Sequence, residues 1–382
     1  MRKSLIPVLI AAIALIACSG PKQDKFNAGD DFDTVADTLT LHASLLTLSR
    51  LPIAGAAAAD IRSPWDSSAF LARLLLVPRD STLPEDLAVG RTVVRTPLTC
   101  AAVFSGVHTS ALAELGALDA LVAVADGSYI PAGDTVRTLI ARGDVADLGP
   151  AQSPSLERLI AAAPDAVLLS PMQGERMPAV PKGAVIIPMA DYLENSPIGR
   201  AEWILLLGML FGHDSEAMAI FDRVVNDYCD LQLSAELAPG PKPLVLTDTE
   251  YSGAWYVPAG QSYMARMIAD AGARTPWSDT PGTGSLTLDM ERVLAGAANA
   301  DFWLIRSYGS MPSLASVRAI NPLNANFKAF REGAVYGCDT EKSPIFNDTA
   351  FHPERVLADL IAIFHPEAMA AGYQLRYYRK AQ

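Results

Sequence analysis

The stretch Ser215-Glu216-Ala217-Met218-Ala219-Ile220-Phe221-Asp222-Arg223-Val224-Val225-Asn226-Asp227-Tyr228-Cys229-Asp230-Leu231-Gln232-Leu233-Ser234-Ala235-Glu236-Leu237 decides the fold. It contains neither proline nor glycine, and Ala217, Phe221, Val224, Tyr228 and Leu231 recur at helical spacing. At about 1.5 Å per residue it would run roughly 33 Å, the height of a domain. Gly212-His213-Asp214 precedes it and Pro239-Gly240-Pro241 stops it. Strand and helix patterns alternate on both sides. The segment 215–238 therefore reads as a rigid connector between two β/α lobes.

The first lobe is expected over 95–214. Its strands are Thr99–Phe104, Leu121–Ala125, Ala166–Ser170 and Ala184–Ile187, with helices at Thr109–Leu115 and Pro197–Phe211. A long loop is expected through Tyr129 and Asp144, and Ser153 is placed as the cap of the helix at Pro154. The second lobe spans 239–382. Its strands are Leu244–Leu246, Phe302–Ile305 and Ala334–Tyr336, and its helices lie near Ser262–Ala271, from Asp289, and at Pro353–Phe364. Such alternation implies α/β lobes with central, mostly parallel sheets. Residues 33–94 differ. Leu39–Leu45 and Phe70–Val77 alternate in the manner of strands, and Ser63-Pro64-Trp65-Asp66 reads as a turn, so this is a β-rich N-terminal extension.

The N-terminus has its own signal. Arg2 and Lys3 precede an apolar run from Leu5 to Ala17 that is too short to span a bilayer, as in a signal peptide over 1–17. Leu15-Ile16-Ala17-Cys18 resembles the lipobox of bacterial lipoproteins, which implies cleavage before Cys18 and its acylation. Residues 18–32 then form a flexible tether to a membrane of the cell envelope, inner or outer. About 360 residues remain, too many for one small core and suited to two lobes. Net charge is −12, with no Lys/Arg cluster, which argues against nucleic acid as a partner. The remaining cysteines, Cys100, Cys229 and Cys338, allow one pair or none.

No phosphate-binding loop, HExxH, GxSxG or GxGxxG occurs, so no catalytic residue, resident cofactor or metal site is expected. An envelope hydrolase built on Ser105 and His108 is the one enzymatic alternative. Ligands of open α/β sheets bind beyond the carboxyl ends of the strands. By that rule His108, Tyr129, Arg176, Trp255, Tyr256, Arg306 and Tyr308 are candidate ligand contacts, with Met172, Gln173 and Tyr251 nearby. Aromatic rings give large contact area at low entropy cost, and arginine grips carboxylates. His108, Met172 or Met189 are the candidates for reaching a metal.

One pattern occurs twice. Leu156-Glu157-Arg158-Leu159 and Met290-Glu291-Arg292-Val293 each begin a short helix that leads to an apolar strand. Together with Phe104-Ser105-Gly106-Val107-His108, Ala269-Asp270-Ala271-Gly272-Ala273 and the ending Pro353–Pro366, the pattern resembles the substrate-binding proteins of ABC importers for iron–siderophore complexes, haem and cobalamin. The resemblance covers roughly 95–375. It implies two α/β lobes on one stiff helix, a monomeric binding protein rather than an enzyme, and delivery of an iron–siderophore, haem or cobalamin ligand to a permease. It also implies that Glu157 and Glu291 dock into the permease subunits.

Overall fold

The computed structural model describes residues 37–53, 55–82, 88–130, 134–175 and 177–382. The signal peptide, the tether, Cys18 and Arg176 lie outside the described residues. Strands β1 (Asp37–Thr38), β2 (Leu46–Arg50), β3 (Ala57–Arg62), β4 (Phe70–Pro78) and β5 (Thr92–Thr96) form one sheet in chain order. Its pairs are antiparallel except β4–β5, which is parallel. The period-two pattern sends Leu46, Leu48, Ala57, Ala59, Ile61, Leu74 and Leu76 into the main hydrophobic core.

Leu39–Leu45 is not a strand, although its residues alternate. Its amides go to two buried carboxylates instead of a ladder. The N–H groups of Leu41, His42 and Ala43 donate to Glu202 at 2.7–2.9 Å. Those of Ser44 and Leu45 donate to Glu194 at 2.9 Å, joined by the Ser44 hydroxyl and the Trp203 indole N–H. Burial still pushes the Glu194 carboxyl above its ordinary value, against the pull of these donors. Gly199 lets the two segments meet, since a Cβ there would lie 2.6 Å from the His42 carbonyl oxygen.

The first lobe contains β6 (Ala101–Val103), α1 (Gly106–Leu115), β7 (Leu121–Val124), α2 (Thr135–Arg142), β8 (Ala146–Asp147), α3 (Leu156–Ala162), β9 (Ala166–Leu169) and β10 (Val185–Pro188). Its sheet is wholly parallel in the order β10-β9-β6-β7-β8. Two local expectations change. The segment expected as a loop contains α2, capped by Asp134 and closed by left-handed Gly143; Pro131 and Gly133 in the sequence mask its period. The cap of α3 is Ser155, whose hydroxyl accepts from the Arg158 amide, and not Ser153.

Helices α4 (Pro197–Ala201) and α5 (Ile204–Phe211) replace one expected helix, because the chain tightens at Glu202-Trp203. The connector is α6 (Asp214–Glu236), 23 residues long, with Ala217, Phe221, Val224 and Tyr228 buried. It approaches α5 at Gly208, where a Cβ would lie 2.4 Å from that of Ala217.

The second lobe follows as β11 (Val245–Thr247), β12 (Glu250–Tyr251), β13 (Ala254–Pro258), α7 (Tyr263–Asp270), β14 (Ser285–Leu288), α8 (Met290–Ala297), β15 (Phe302–Ser307), α9 (Leu314–Ile320), α10 (Lys328–Arg331), β16 (Val335–Asp339), α11 (Ile345–Phe351), α12 (Pro353–Phe364) and β17 (Arg379–Lys380). The sheet β11-β15-β16-β17 is parallel except for its last pair. A second, antiparallel sheet, β12-β13-β14, was not visible in the sequence pattern. One hydrophobic core runs from the extension through the first lobe and α6 into α7, α11 and α12. A separate cluster around Trp255, Trp303 and Phe327 fills the second lobe.

Glu202→Gln puts an amide N–H₂ against backbone donors while the loop stays buried. It is expected to cost about 2–4 kcal/mol, against less than about 0.5 for exposed Glu216→Gln. Urea unfolding midpoints measure both, and equal midpoints would show that the carboxylate does not hold the extension.

Candidate functional site: the cleft between the lobes

The carboxyl ends of β6, β7 and β9 in one lobe and of β15 and β16 in the other feed loops into a common cavity of about 1000 Å³. Phe104, Ile130, Leu169, Met172, Tyr192 and Phe346 give it apolar and aromatic walls. Ser105, Gln152, Ser170, Ser343 and Asn347 add hydrogen-bonding groups. Such a mixture suits a large, partly apolar ligand held by a few oriented polar contacts.

Tyr129 and Tyr308 meet across the cleft edge to face, with ring centroids 6.4 Å apart, and both remain largely exposed. The loop of each is pinned from behind. Asp126, in the left-handed region at φ 56°, accepts from the Ala151 amide at 3.0 Å, and its carbonyl takes the Tyr129 amide. Arg137 on α2 donates to the Gly127 carbonyl at 2.9 Å. In the second lobe, buried Asp339 accepts from the Gly309 and Glu341 amides at 3.1 and 3.2 Å. Tyr192 donates to the Pro171 carbonyl at 2.5 Å. Burial, then the charges of Asp191 and Glu175, push its phenol above the ordinary value.

The other expected contacts are elsewhere. His108 is 1 % exposed, and its Nε2 lies 2.8 Å from Asp191 Oδ1, so it packs between the lobes beside Phe351 instead of facing a ligand. Burial alone would raise the Asp191 carboxyl, but His108 and Arg200 together hold it below its ordinary value. Trp255 is fully buried, stacked on Trp303, with its indole N–H on the Thr247 carbonyl. Tyr256 is exposed on the three-stranded sheet and does not line the cavity. Arg306 grips Asp248 through two bonds of 3.0 and 2.6 Å, which favours its charged form, and it too is absent from the lining. Met189 is buried. Ser105 caps α1 by accepting from the Val107 amide, so Ser105 and His108 form no nucleophile–base pair. The sequence reading missed Phe104, Glu175, Tyr192, Glu341, Lys342 and Phe346. The strand-end rule, carried on past β6 and β16, would have reached Phe104 and the 341–346 loop.

Glu157 and Glu291 occupy the second positions of α3 and α8. Both are exposed and neither lines the cleft. The cap of each helix, Ser155 or Asp289, accepts from the amide of the following arginine, Arg158 or Arg292. Among the described residues, no group of three or more His, Cys, Asp or Glu side chains can hold a metal ion, and no disulfide links Cys100, Cys229 and Cys338.

A second junction lies at the far ends of α1 and α11, whose starts line the cleft. His352 bridges Glu114 on α1 and Glu354 on α12, with Arg355 and Arg223 nearby. Burial lowers the imidazole, but the two carboxylates outweigh it and push it from 6.5 up to about 9. Burial likewise raises Glu114, and His352, Arg355 and Arg223 more than offset it.

The profile of the periplasmic binding protein family matches residues 102–341, and the chain belongs to that family. Its members are solute-binding proteins, not enzymes. An uncharacterized lipoprotein of Methanocaldococcus jannaschii is 27 % identical over 323 residues, 81 % of this chain and 76 % of that one. A periplasmic binding protein of Veillonella parvula superimposes with a TM-score of 0.57 at 19 % identity, covering 72 % of this chain and 93 % of its own. A periplasmic heme-binding protein of Pseudomonas aeruginosa gives 0.56 at 18 % identity, covering 75 % and 98 %. At these identities the two structures share the fold.

The His352 bridge has a defined pH dependence. Its contribution, at most about 3 kcal/mol, is complete below pH 6.5 and lost as pH rises through about 9. Urea unfolding of the wild type and His352→Gln should differ most below pH 6.5 and converge above pH 9. A gap that does not change with pH would mean that His352 is not charged in the fold.

Proposed function

We propose that this protein is the substrate-binding component of an ABC importer, and that it carries a bulky metal chelate, such as an iron–siderophore complex, haem or cobalamin, in the cleft between its lobes. The observation that carries this reading is the cavity of about 1000 Å³ with aromatic walls from both lobes. No donor cluster to hold a bare ion accompanies it among the described residues, so the metal would arrive already coordinated. The heme-binding neighbour supports the ligand class by analogy of fold alone. The lipobox-like Leu15–Cys18 and the lipoprotein relative support a lipid anchor in the cell envelope.

In this reading Tyr129 and Tyr308 flank the ligand, while Trp255, Arg306 and His108 hold the walls in place. Glu157 and Glu291 face the permease, one from each lobe. Exposed ion pairs are individually weak, so such a pair sets orientation and encounter rate more than affinity.

Absorbance spectra of the purified protein, taken before and after addition of haem, cobalamin and iron chelates, identify the class. A protein whose spectrum and melting temperature respond to none of them is not a chelate carrier. With the responding ligand, Tyr129→Ala with Tyr308→Ala should weaken binding by roughly tenfold or more, the value of one to two lost aromatic contacts. The double reversal Glu157→Lys with Glu291→Lys should abolish uptake in cells and leave the dissociation constant unchanged. Normal uptake by that variant would remove the docking role.

A further inference from the structure

The two repeated helices are alike in sequence and unlike in exposure. Leu156, Glu157 and Ile160 take the first, second and fifth positions of α3, and Met290, Glu291 and Leu294 the same positions of α8. The fourth positions, Leu159 and Val293, are both wholly buried. The other apolar positions differ. Met290 and Leu294 are half-buried, packed with Leu286 and Leu288 of β14 against the cluster of Trp255, Trp303 and Phe327. Leu156 and Ile160 are left 43 % and 55 % exposed. The sheet β12-β13-β14 gives α8 a surface to lie on. Helix α3 follows the two-residue strand β8 and has no such sheet beside it among the described residues. Four apart on a helix, Leu156 and Ile160 share one face, and Glu157 is three residues from Ile160 at its side. The next residue, Arg158, donates to the Asp147 carbonyl at 2.7 Å and not to Glu157. An apolar pair with a charge at its rim has the make-up of an interface core.

We propose that Leu156 and Ile160 are the apolar anchor by which the first lobe holds its permease subunit, so that the two lobes dock unequally. Helix α3 supplies contact area that lasts, and α8 supplies charge and orientation. The inference rests on the docking role given above to Glu157 and Glu291, and names the side chains that would keep the complex together. Apolar area leaving water adds affinity, which an exposed ion pair by itself adds only weakly. The surface that fits is an apolar depression beside a basic side chain. A second copy of this chain does not fit. A two-fold contact would place the same patch on both sides and set glutamate against glutamate. Two half-exposed side chains are also far short of the roughly 800 Å² per partner that a stable dimer buries. The pair needs a partner of opposite charge that reaches the second lobe as well.

The test uses the full-length protein in cells that carry its importer. Benzoylphenylalanine replaces exposed Ala161 on α3 or exposed Ala295 on α8, and the adducts formed under ultraviolet light are identified by mass spectrometry. Both positions should give an adduct with an integral-membrane permease subunit. Leu156→Gln with Ile160→Gln keeps good helix formers at these exposed positions and should lower both yields by roughly tenfold or more, with the melting temperature unchanged. Leu156→Met with Ile160→Met, which stays apolar, should retain them. Full yields in the glutamine variant, with loss of the adducts in Glu157→Lys with Glu291→Lys, would overturn the anchor and keep the docking role. An adduct from Ala161 to a second copy, or to residues 19–36 of the same chain, with the permease reached from Ala295 alone, would give the pair another occupant and overturn the anchor as well. No permease adduct from either position would remove the docking role itself, and the anchor with it.

Discussion

The interaction on which the rest depends is the continuous hydrophobic core through α6. Phe221, Val224 and Tyr228 of that helix pack in one cluster with Leu74 and Leu76 of the extension, Leu206 and Leu210 of α5, and Leu357 and Ile361 of α12. Each such side chain contributes roughly 1.5–3 kcal/mol by leaving water. Lobes that share a core cannot swing apart without exposing it. The cleft is therefore largely formed before any ligand arrives, which suits a carrier of one bulky shape better than a hinge that closes on small solutes. Buried polar contacts reinforce the junction: Asp191 joins His108 to Arg200, whose guanidinium lies over the Tyr263 ring of α7.

The N-terminal extension belongs to the same logic. Its sheet supplies one wall of the shared core, and its loop at 41–45 is sewn to the turns on either side of α4, by Glu194 before it and Glu202 after it. Two carboxylates taking five successive backbone amides do the work that a sheet ladder does elsewhere. None of its described residues lines the cleft, so it braces the first lobe from behind.

Much of the fold was legible. The connecting helix, the β/α alternation and the repeated helix starts at Glu157 and Glu291 rest on hydrophobic period, caps and breakers, which are local properties of the chain. The antiparallel sheet β12-β13-β14 was not legible. Its strands are two to five residues long and the third arrives after α7, so no local period announces the pairing. The cleft was half legible. Residues just past a strand were placed at the right end of each sheet, but chain position does not report the direction of a side chain. Tyr129 and Tyr308 point across the gap. Trp255 and Arg306 turn inward, to Trp303 and to an Asp248 held in the left-handed region at φ 57°.

The sequence by itself determined the class of the protein: two α/β lobes on a long helix, a lipobox-like cysteine at position 18, and no catalytic motif. Those features are written in spacing and composition, so neighbours along the chain suffice to read them. The tertiary structure alone decided which charges face the cleft. An arginine is an anion-binding group only while its guanidinium is uncommitted, and that depends on partners brought from tens of residues away. Arg306 meets Asp248 and Arg137 meets the backbone of its own loop. Of the two arginines that chain position offered to the cleft, Arg306 is taken up by Asp248 and Arg176 lies outside the described residues.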